Sequence, residues 1–328
     1  MDARRLGKTE IEISPVGLGC WQFSQGQGFT GRMWATLDQA TIDEVVGAAL
    51  RAGVTWFDTA QAYGNGASER ALSAALSHLG VEPGKVLVAT KWLPILKTAG
   101  NIPRTIDTRI DCLRPYPIDL FQVHLPWSVS SIPAQMREMT KLVRSGKIRA
   151  VGVSNFSASQ MARAGAALQA EGLPLASNQV LINMLDRRIE SNGVLETARR
   201  LGVTLIAYSP LAQGILTGKY HEDPARVRSL PFGRRSRLSP ASWGLTPKGL
   251  ARTATLIDEL RAVADAHGAT AAQVALAWLV ANYGDTVVVI PGASRPEQAT
   301  AGAAAMDMHL TEEEMARLDE ISAGVAKH

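Results

Sequence analysis

The 328-residue chain is 46% apolar and 20% charged, a globular composition that excludes a disordered chain, whose apolar content would be too low to offset the entropy of ordering. No apolar run reaches the ~18 residues of a membrane-spanning helix, and MDARRLGKTE at the start lacks the apolar core and cleavage site of a secretory signal, so a cytoplasmic protein without a membrane partner is expected. A net charge of +4 suits an anionic small molecule better than nucleic acid, and two cysteines (Cys20 and Cys112) exclude a disulfide framework and fit a reducing compartment.

Arg4–Leu6 and Ile11–Ile13 read as a short hairpin. Eight apolar, β-branched runs follow: Val16–Gly19, Val54–Thr59, Val86–Lys91, Asp119–His124, Ile148–Ser154, Ser177–Val180, Val203–Tyr208 and Val287–Pro291. They are continuously apolar, as in strands of a parallel sheet buried on both faces. Helical segments alternate with them. Thr41-x-x-Glu44 and Ser157-x-x-Gln160 read as capping boxes, and Pro133 after Ser131 opens a helix to about Ser145. Ala67–Leu79 and Thr105–Leu113 carry helical spacing. A long irregular stretch, Leu211 to about Pro247, precedes helices at Lys248–His267 and Thr270–Ala281 and a last one from the Thr311-x-x-Glu314 box. Eight strand–helix units without a linker predict one domain over residues 1–328. The expected fold class is α/β: a single (β/α)₈ TIM barrel with an N-terminal β-hairpin and extra helices near the C-terminus. The rival is a doubly wound open sheet.

In such a barrel the reacting groups sit at the C-terminal strand ends. The polar residues closing the apolar runs are Asp58, Lys91, His124, Ser154 with Asn155, Gln179 and Tyr208. Tyr63 lies five residues past Asp58; Lys91 is 28 beyond Tyr63, and His124 33 beyond Lys91, each step about one strand–helix repeat. Taken singly, Asp58 reads as a turn cap, Tyr63 as a loop tyrosine and His124 as a core histidine. Together they make a proton donor for carbonyl reduction. A tyrosine of ordinary pKa about 10 needs help to give its proton at neutral pH. The Lys91 cation would lower that pKa, Asp58 would hold Lys91, and His124 would donate to the substrate oxygen.

The stretches GLGCW, FDTAQAYGNGASE, LVATKW, FQVHLP, VGVSNF, SNQV, AYSPLAQGILTGKY and IPGASRPEQ, in this order, resemble the aldo-keto reductase family over about Arg4 to Ala304. The resemblance implies a β/α barrel, a nicotinamide cofactor (NADPH/NADP+ rather than NADH) and reversible reduction of aldehydes or ketones, an oxidoreductase acting on small carbonyl compounds. It assigns Tyr63 as the acid, with Lys91, Asp58 and His124 as partners. Ser154, Asn155 and Gln179 would bond the nicotinamide carboxamide and Tyr208 would stack on its ring, with Trp21 and Asp58 also bordering the cofactor. Ser209, Leu211, Gln213 and Gly214, continuing through Leu216, Thr217, Gly218 and Lys219, would form a belt over the pyrophosphate. Backbone N–H groups and a lysine facing phosphate make that sensible. Gly292, Ala293, Ser294, Arg295 and Gln298 would hold the adenosine end. Ser294-x-x-Glu297 reads there as a further capping box, and Arg295 as a partner for a ribose 2′-phosphate. Two positions depart from the family pattern: Ile182 where many relatives carry an aromatic, and Gly302 where many carry an asparagine.

Trp21, Trp92 and Trp127 follow strands at the open face. They read either as core packing or as an aromatic wall of the substrate pocket, beside Tyr63 and His124. GQGFTG (Gly26, Gly28, Gly31) matches the dinucleotide fingerprint as a string, but the next helix signal comes about ten residues too late, so it reads as a loop. None of the five tyrosines has a lysine four residues on, and the histidines and cysteines supply no zinc motif, so no metal is expected. Arg226, Arg228, Arg234, Arg235 and Arg237 form a basic cluster that reads as a solvated loop or as a lid over cofactor phosphates. The alternatives to an enzyme are a nicotinamide-binding regulatory subunit of the potassium-channel β type and a nucleic-acid module built on the arginines.

Overall fold

The computed structural model describes residues 3–31, 33–230 and 244–326. A two-residue hairpin, β1 (Arg4–Arg5) and β2 (Glu12–Ile13), precedes eight parallel strands. These are β3 (Leu18–Gly19), β4 (Trp56–Asp58), β5 (Leu87–Trp92), β6 (Leu120–Val123), β7 (Ala150–Ser154), β8 (Leu175–Leu181), β9 (Thr204–Tyr208) and β10 (Val287–Ile290), each paired with the next in sequence. The ring closes where β10 meets the segment leading into β3. Val289 donates to the Pro15 carbonyl (3.0 Å) and Gly17 to the Val289 carbonyl (2.9 Å), and Val16–Val289 and Gly19–Gly292 form parallel bridges. The structure is the expected (β/α)₈ barrel with its hairpin, and the open sheet is ruled out.

Strand parity creates two cores. Side chains alternate in and out along a strand. Inward-facing Trp56, Leu87, Ala89, Leu120, Ala150, Ile206 and Val288 fill the barrel, with Leu6, Ile11 and Ile13 of the hairpin segment plugging its N-terminal end. Trp56 is fully buried, and a Cβ at residue 17 would lie 2.3 Å from its ring, so only glycine fits there. Burying that indole contributes at most about 5 kcal/mol. The outward-facing residues pack against the surrounding helices. Toward the C-terminal end the inward positions turn polar, and that change makes the site.

The helices follow the sequence signals with three corrections. The Ser157–Gln160 and Thr311–Glu314 capping boxes form, and Ser131 caps the helix Ile132–Arg144 with Pro133 in its first turn. The first long helix, however, runs Gln39–Arg51: Asp38 accepts from the Thr41 N–H (2.8 Å), so Thr41 lies inside the helix and is no cap. The helix expected from Thr105 begins at Asn101, and the Thr105 hydroxyl bonds back to the Asn101 carbonyl instead of capping. The Ser294-x-x-Glu297 box does not form. Pro296 opens the helix Pro296–Ala304 from Arg295, and Ser294 donates from its N–H and hydroxyl to Gln298 Oε1.

Gly28–Gly31 forms one helical turn after the 3₁₀ segment Trp21–Ser24, away from any strand-to-helix turn of the dinucleotide type. The stretch after β9 contains a 3₁₀ segment (Ala212–Thr217) and a helical turn (Lys219–Glu222). Of the basic cluster, Arg226 pairs with Asp223 at the surface (3.4 Å), whereas Arg234, Arg235 and Arg237 lie outside the described residues. Among the described residues no helix is long and apolar enough to cross a membrane.

Candidate active site

Asp58, Lys91 and His124 converge because each occupies an inward position at or just beyond the end of neighbouring strands. Lys91 continues the inward series Leu87, Ala89 on β5; Asp58 follows Trp56 on β4; His124 follows Leu120 and Gln122 past the end of β6. The Lys91 ammonium, fully buried, bonds Asp58 Oδ1 and donates to the Thr59 carbonyl (2.8 Å).

Tyr63 sits on the loop after β4. Backbone bonds fix that loop: Gln61 N–H to the Lys91 carbonyl (3.2 Å) and Ser68 N–H to the Tyr63 carbonyl (3.2 Å). Gly64 passes so near the Ser24 carbonyl that a Cβ would stand 2.5 Å from it. Behind the loop, buried Glu69 accepts from Thr90 (2.6 Å) and pairs with Arg109, tying the helix Ala67–His78 to β5. The centre of the Tyr63 ring lies 5.1 Å from the Lys91 ammonium, and the ring is edge-to-face with His124 (5.7 Å, 85°) and stacked on Trp21 (5.6 Å, 16°).

The electrostatics differ from the sequence expectation at Tyr63. Burial, and then the negative groups Asp58 and Cys20, push its phenol well above the ordinary tyrosine range. With Lys91 tied to Asp58, its charge does not outweigh the burial, and the phenol stays protonated at neutral pH, the form a proton donor needs. Burial lowers Lys91, opposed by Asp58. Burial and the Lys91 cation take His124 down to about 3, so its imidazole is neutral. His124 Nδ1 is buried with no hydrogen-bond partner.

Ser154, Asn155 and Tyr208 form a connected polar surface beside this group. Asn155, in the left-handed region (φ 60°), donates to the His124 carbonyl (3.2 Å) and Ser154 Oγ (3.0 Å) and accepts from the Tyr208 hydroxyl (3.0 Å). Burial, with Tyr63 nearby, raises Tyr208 to about 12. Gln179 donates to Asp58 Oδ2 (2.9 Å). The expected belt begins at Ser209, and Ser209, Ala212, Gln213, Gly214 and Gly218 all have positive φ. Gly214 makes room for Lys219, whose Cε and Nζ would lie 2.9 Å from a Cβ there. Leu216 is fully buried in the core, so it does not face the mouth. Across the barrel seam a Cβ on Gly292 would lie 2.2 Å from the amide of Gln22, whose Oε1 is buried without a partner. Arg295 is exposed beside Ser294 and Gln298. Orphaned polar atoms at His124 and Gln22, amides at Asn155 and Gln179, and a positive-φ belt ending in lysine fit a nicotinamide dinucleotide laid across the mouth.

One sequence candidate sits elsewhere, and another stands at the mouth. Trp92 is fully buried and its indole N–H donates to Asn101 Oδ1 (2.9 Å). Adjacent to inward Lys91 on one strand, it must point outward, so it packs against a helix and is not a pocket wall. Trp127, 65% exposed, stands on the loop after β6. Ile182 is buried in the outer core, and Gly302 lies close under Pro291, where a Cβ would be 3.3 Å from Cγ. Sequence reasoning missed Gln122, whose Nε2 donates to Asp58 Oδ2 (3.1 Å). Its signal was present: in DLFQVH it lies two residues before His124, on the same strand face.

The model of the aldo/keto reductase family matches residues 15–323. An uncharacterized oxidoreductase of Mycobacterium bovis is 38% identical over 306 residues, covering 92% of this chain and 86% of that protein. The chloroplastic pyridoxal reductase of Arabidopsis thaliana is 32% identical over 325 residues (94% and 83%). Among solved structures, the glycerol dehydrogenase of Gluconobacter oxydans superposes with a TM-score of 0.81 at 29% identity (98% of this chain, 95% of that one). A thermostable aldo-keto reductase in complex with the inhibitor epalrestat superposes with a TM-score of 0.75 at 30% identity (98% and 100%).

Proposed function

The chain belongs to the aldo/keto reductase family, and from that premise we propose that it is an NADPH-dependent reductase of aldehyde or ketone carbonyls in which Tyr63 is the proton donor. The observation that carries this reading is the buried Lys91–Asp58 pair under the Tyr63 ring, with neutral His124 set edge-on to it. NADPH, when bound, supplies a hydride to the carbonyl carbon. The protein's own part is the oxygen. Tyr63 keeps its proton in the ground state because its surroundings are negative and dry. As charge grows on the substrate oxygen, Tyr63 gives that proton up, and the Lys91 ammonium stabilises the phenolate left behind. His124, neutral, donates a hydrogen bond to the same oxygen without competing for the proton. Asn155, Ser154 and Gln179 orient the carboxamide, Tyr208 supports the ring, and the belt from Ser209 to Lys219 covers the pyrophosphate. Arg295, exposed at the start of the helix Pro296–Ala304, favours NADPH through the 2′-phosphate.

The test follows NADPH absorbance with an activated aromatic aldehyde. Tyr63→Phe should abolish turnover and leave cofactor affinity nearly intact. Full activity in that variant would remove Tyr63 from its role.

A further inference from the structure

Asp58 carries more hydrogen bonds than its ion pair requires. Gln122 and Gln179, from β6 and β8, both donate to Oδ2, at 3.1 and 2.9 Å, while Lys91 takes Oδ1. A carboxylate torsion is broad and two-fold, so an ion pair on one oxygen, with Lys91 also bonded to the Thr59 carbonyl, does not by itself fix the carboxylate. Two amide N–H groups on the other oxygen do. The Gln122 amide has only one workable orientation, because its Oε1 turned toward Asp58 would set oxygen against carboxylate. The site is also shaped around it. Gly152 stands opposite Gln122 in the β6–β7 register, and a Cβ there would lie 2.9 Å from Gln122 Cγ and 2.4 Å from Ser177 Oγ. Gln122 is fully buried, and its Oε1 has no partner, so its placement is set by Asp58 and not by a bond of its own elsewhere.

We infer that Gln122 is a positioning residue: together with Gln179 it locks the Asp58 carboxylate so that the Lys91 ammonium is held under the Tyr63 ring. Only the catalytic consequence rests on the reading of Tyr63 as proton donor; the clamp itself does not.

Two substitutions separate the clamp from mere packing. Gln122→Met keeps the length and removes the donor. Gln122→Glu keeps the shape and makes the donor titratable: protonated, it donates to Asp58 Oδ2 as the amide did; ionised, it sets two carboxylates face to face, an arrangement that raises a carboxyl pKa. In Gln122→Met, kcat should fall roughly 10- to 100-fold, the scale of a small misplacement, with the Kd for NADPH changed less than about twofold. In Gln122→Glu, kcat should approach the wild type near pH 5 and fall to the Gln122→Met level by pH 8, a descending limb the wild type lacks. Gly152→Ala, which crowds both Ser177 Oγ and Gln122 without removing any polar group, should lower kcat with the same sparing of cofactor affinity. The melting temperature of Gln122→Glu relative to wild type should fall across the same pH range, a readout independent of turnover. If the wild type consumes no NADPH with any carbonyl, the reductase reading fails while the melting series still judges the clamp. Wild-type kcat in both Gln122 variants, or a Gln122→Glu melting difference that does not change with pH, overturns the inference.

Discussion

The Lys91 ammonium lies 5.1 Å from the centre of the Tyr63 ring while bonded to Asp58 and to the Thr59 carbonyl. Both ions are buried, so neither is stable without the other: removing one partner of a buried pair costs about 3–5 kcal/mol, whereas replacing both by neutral groups costs little. Lys91→Met and Asp58→Asn should therefore each lower the melting temperature, and the double variant should regain most of it. Activity should not return. Each single variant and the double variant should lose roughly 10²- to 10⁴-fold in kcat, the contribution of general acid catalysis. A double variant as unstable as the sum of the two singles would show that the pair is not coupled.

His124 gives the protein an acid-sensitive stability. Its folded-state pKa lies at about 3, pushed down first by burial and then by Lys91, against 6.5 in an unfolded chain. The unfolded state binds the proton first, so the stability contributed by neutral His124 is present above 6.5 and is lost as pH falls toward 3, at up to about 1.4 kcal/mol per pH unit. Denaturant unfolding across that window should show a steeper fall for the wild type than for His124→Asn. The same shift removes any histidine limb near pH 6.5 from the kcat profile. Parallel stability curves for the two proteins would contradict the burial of a neutral imidazole.

The two tryptophans beyond Lys91 and His124 should separate cleanly in kinetics. Trp92 is buried and bonded to Asn101; Trp92→Phe should lose about 1–3 kcal/mol of stability, from a cavity and an orphaned acceptor, with KM unchanged. Trp127 is 65% exposed at the mouth; Trp127→Ala should leave stability within about 0.5 kcal/mol and raise KM for an aromatic aldehyde several-fold. A raised KM in Trp92→Phe, or an unchanged one in Trp127→Ala, would reverse the assignment.

The barrel and the placement of its polar strand ends were legible because eight continuous apolar runs recur, and six of them end at or beside a polar residue that apolar packing cannot explain. Position along a strand was the harder quantity. Lys91 and Trp92 are neighbours in sequence and opposites in space, since consecutive side chains leave opposite faces of the sheet. Gln122 was hidden for the converse reason: it lies inside an apolar run and shares a face with His124 two residues on, a relation that only parity exposes. The ordering of charges was also illegible. An opposite charge near Tyr63 can be read from spacing, but Lys91 being tied to Asp58 and buried, so that the phenol rises and does not fall, depends on desolvation that no spacing encodes. Helix starts moved where a better acceptor or a proline lay a few residues upstream or downstream, as at Asp38 and Pro296.

Gly302 borders the proposed adenosine end, at a position where the sequence departs from the family pattern. It lies in the helix Pro296–Ala304, and a Cβ there would be 3.3 Å from Pro291 Cγ, at the exit of β10. Restoring the asparagine found in many relatives would thus not simply add an adenine contact. The longer side chain would press the helix away from Pro291, and Ser294, Arg295 and Gln298 at its start would move with it. Gly302→Asn should cost about 1–3 kcal/mol, the scale of overpacking, and weaken NADPH binding, measured by thermal melting and by fluorescence titration. Tighter binding at unchanged stability would mean that the helix yields without cost, and that the glycine is not there for packing.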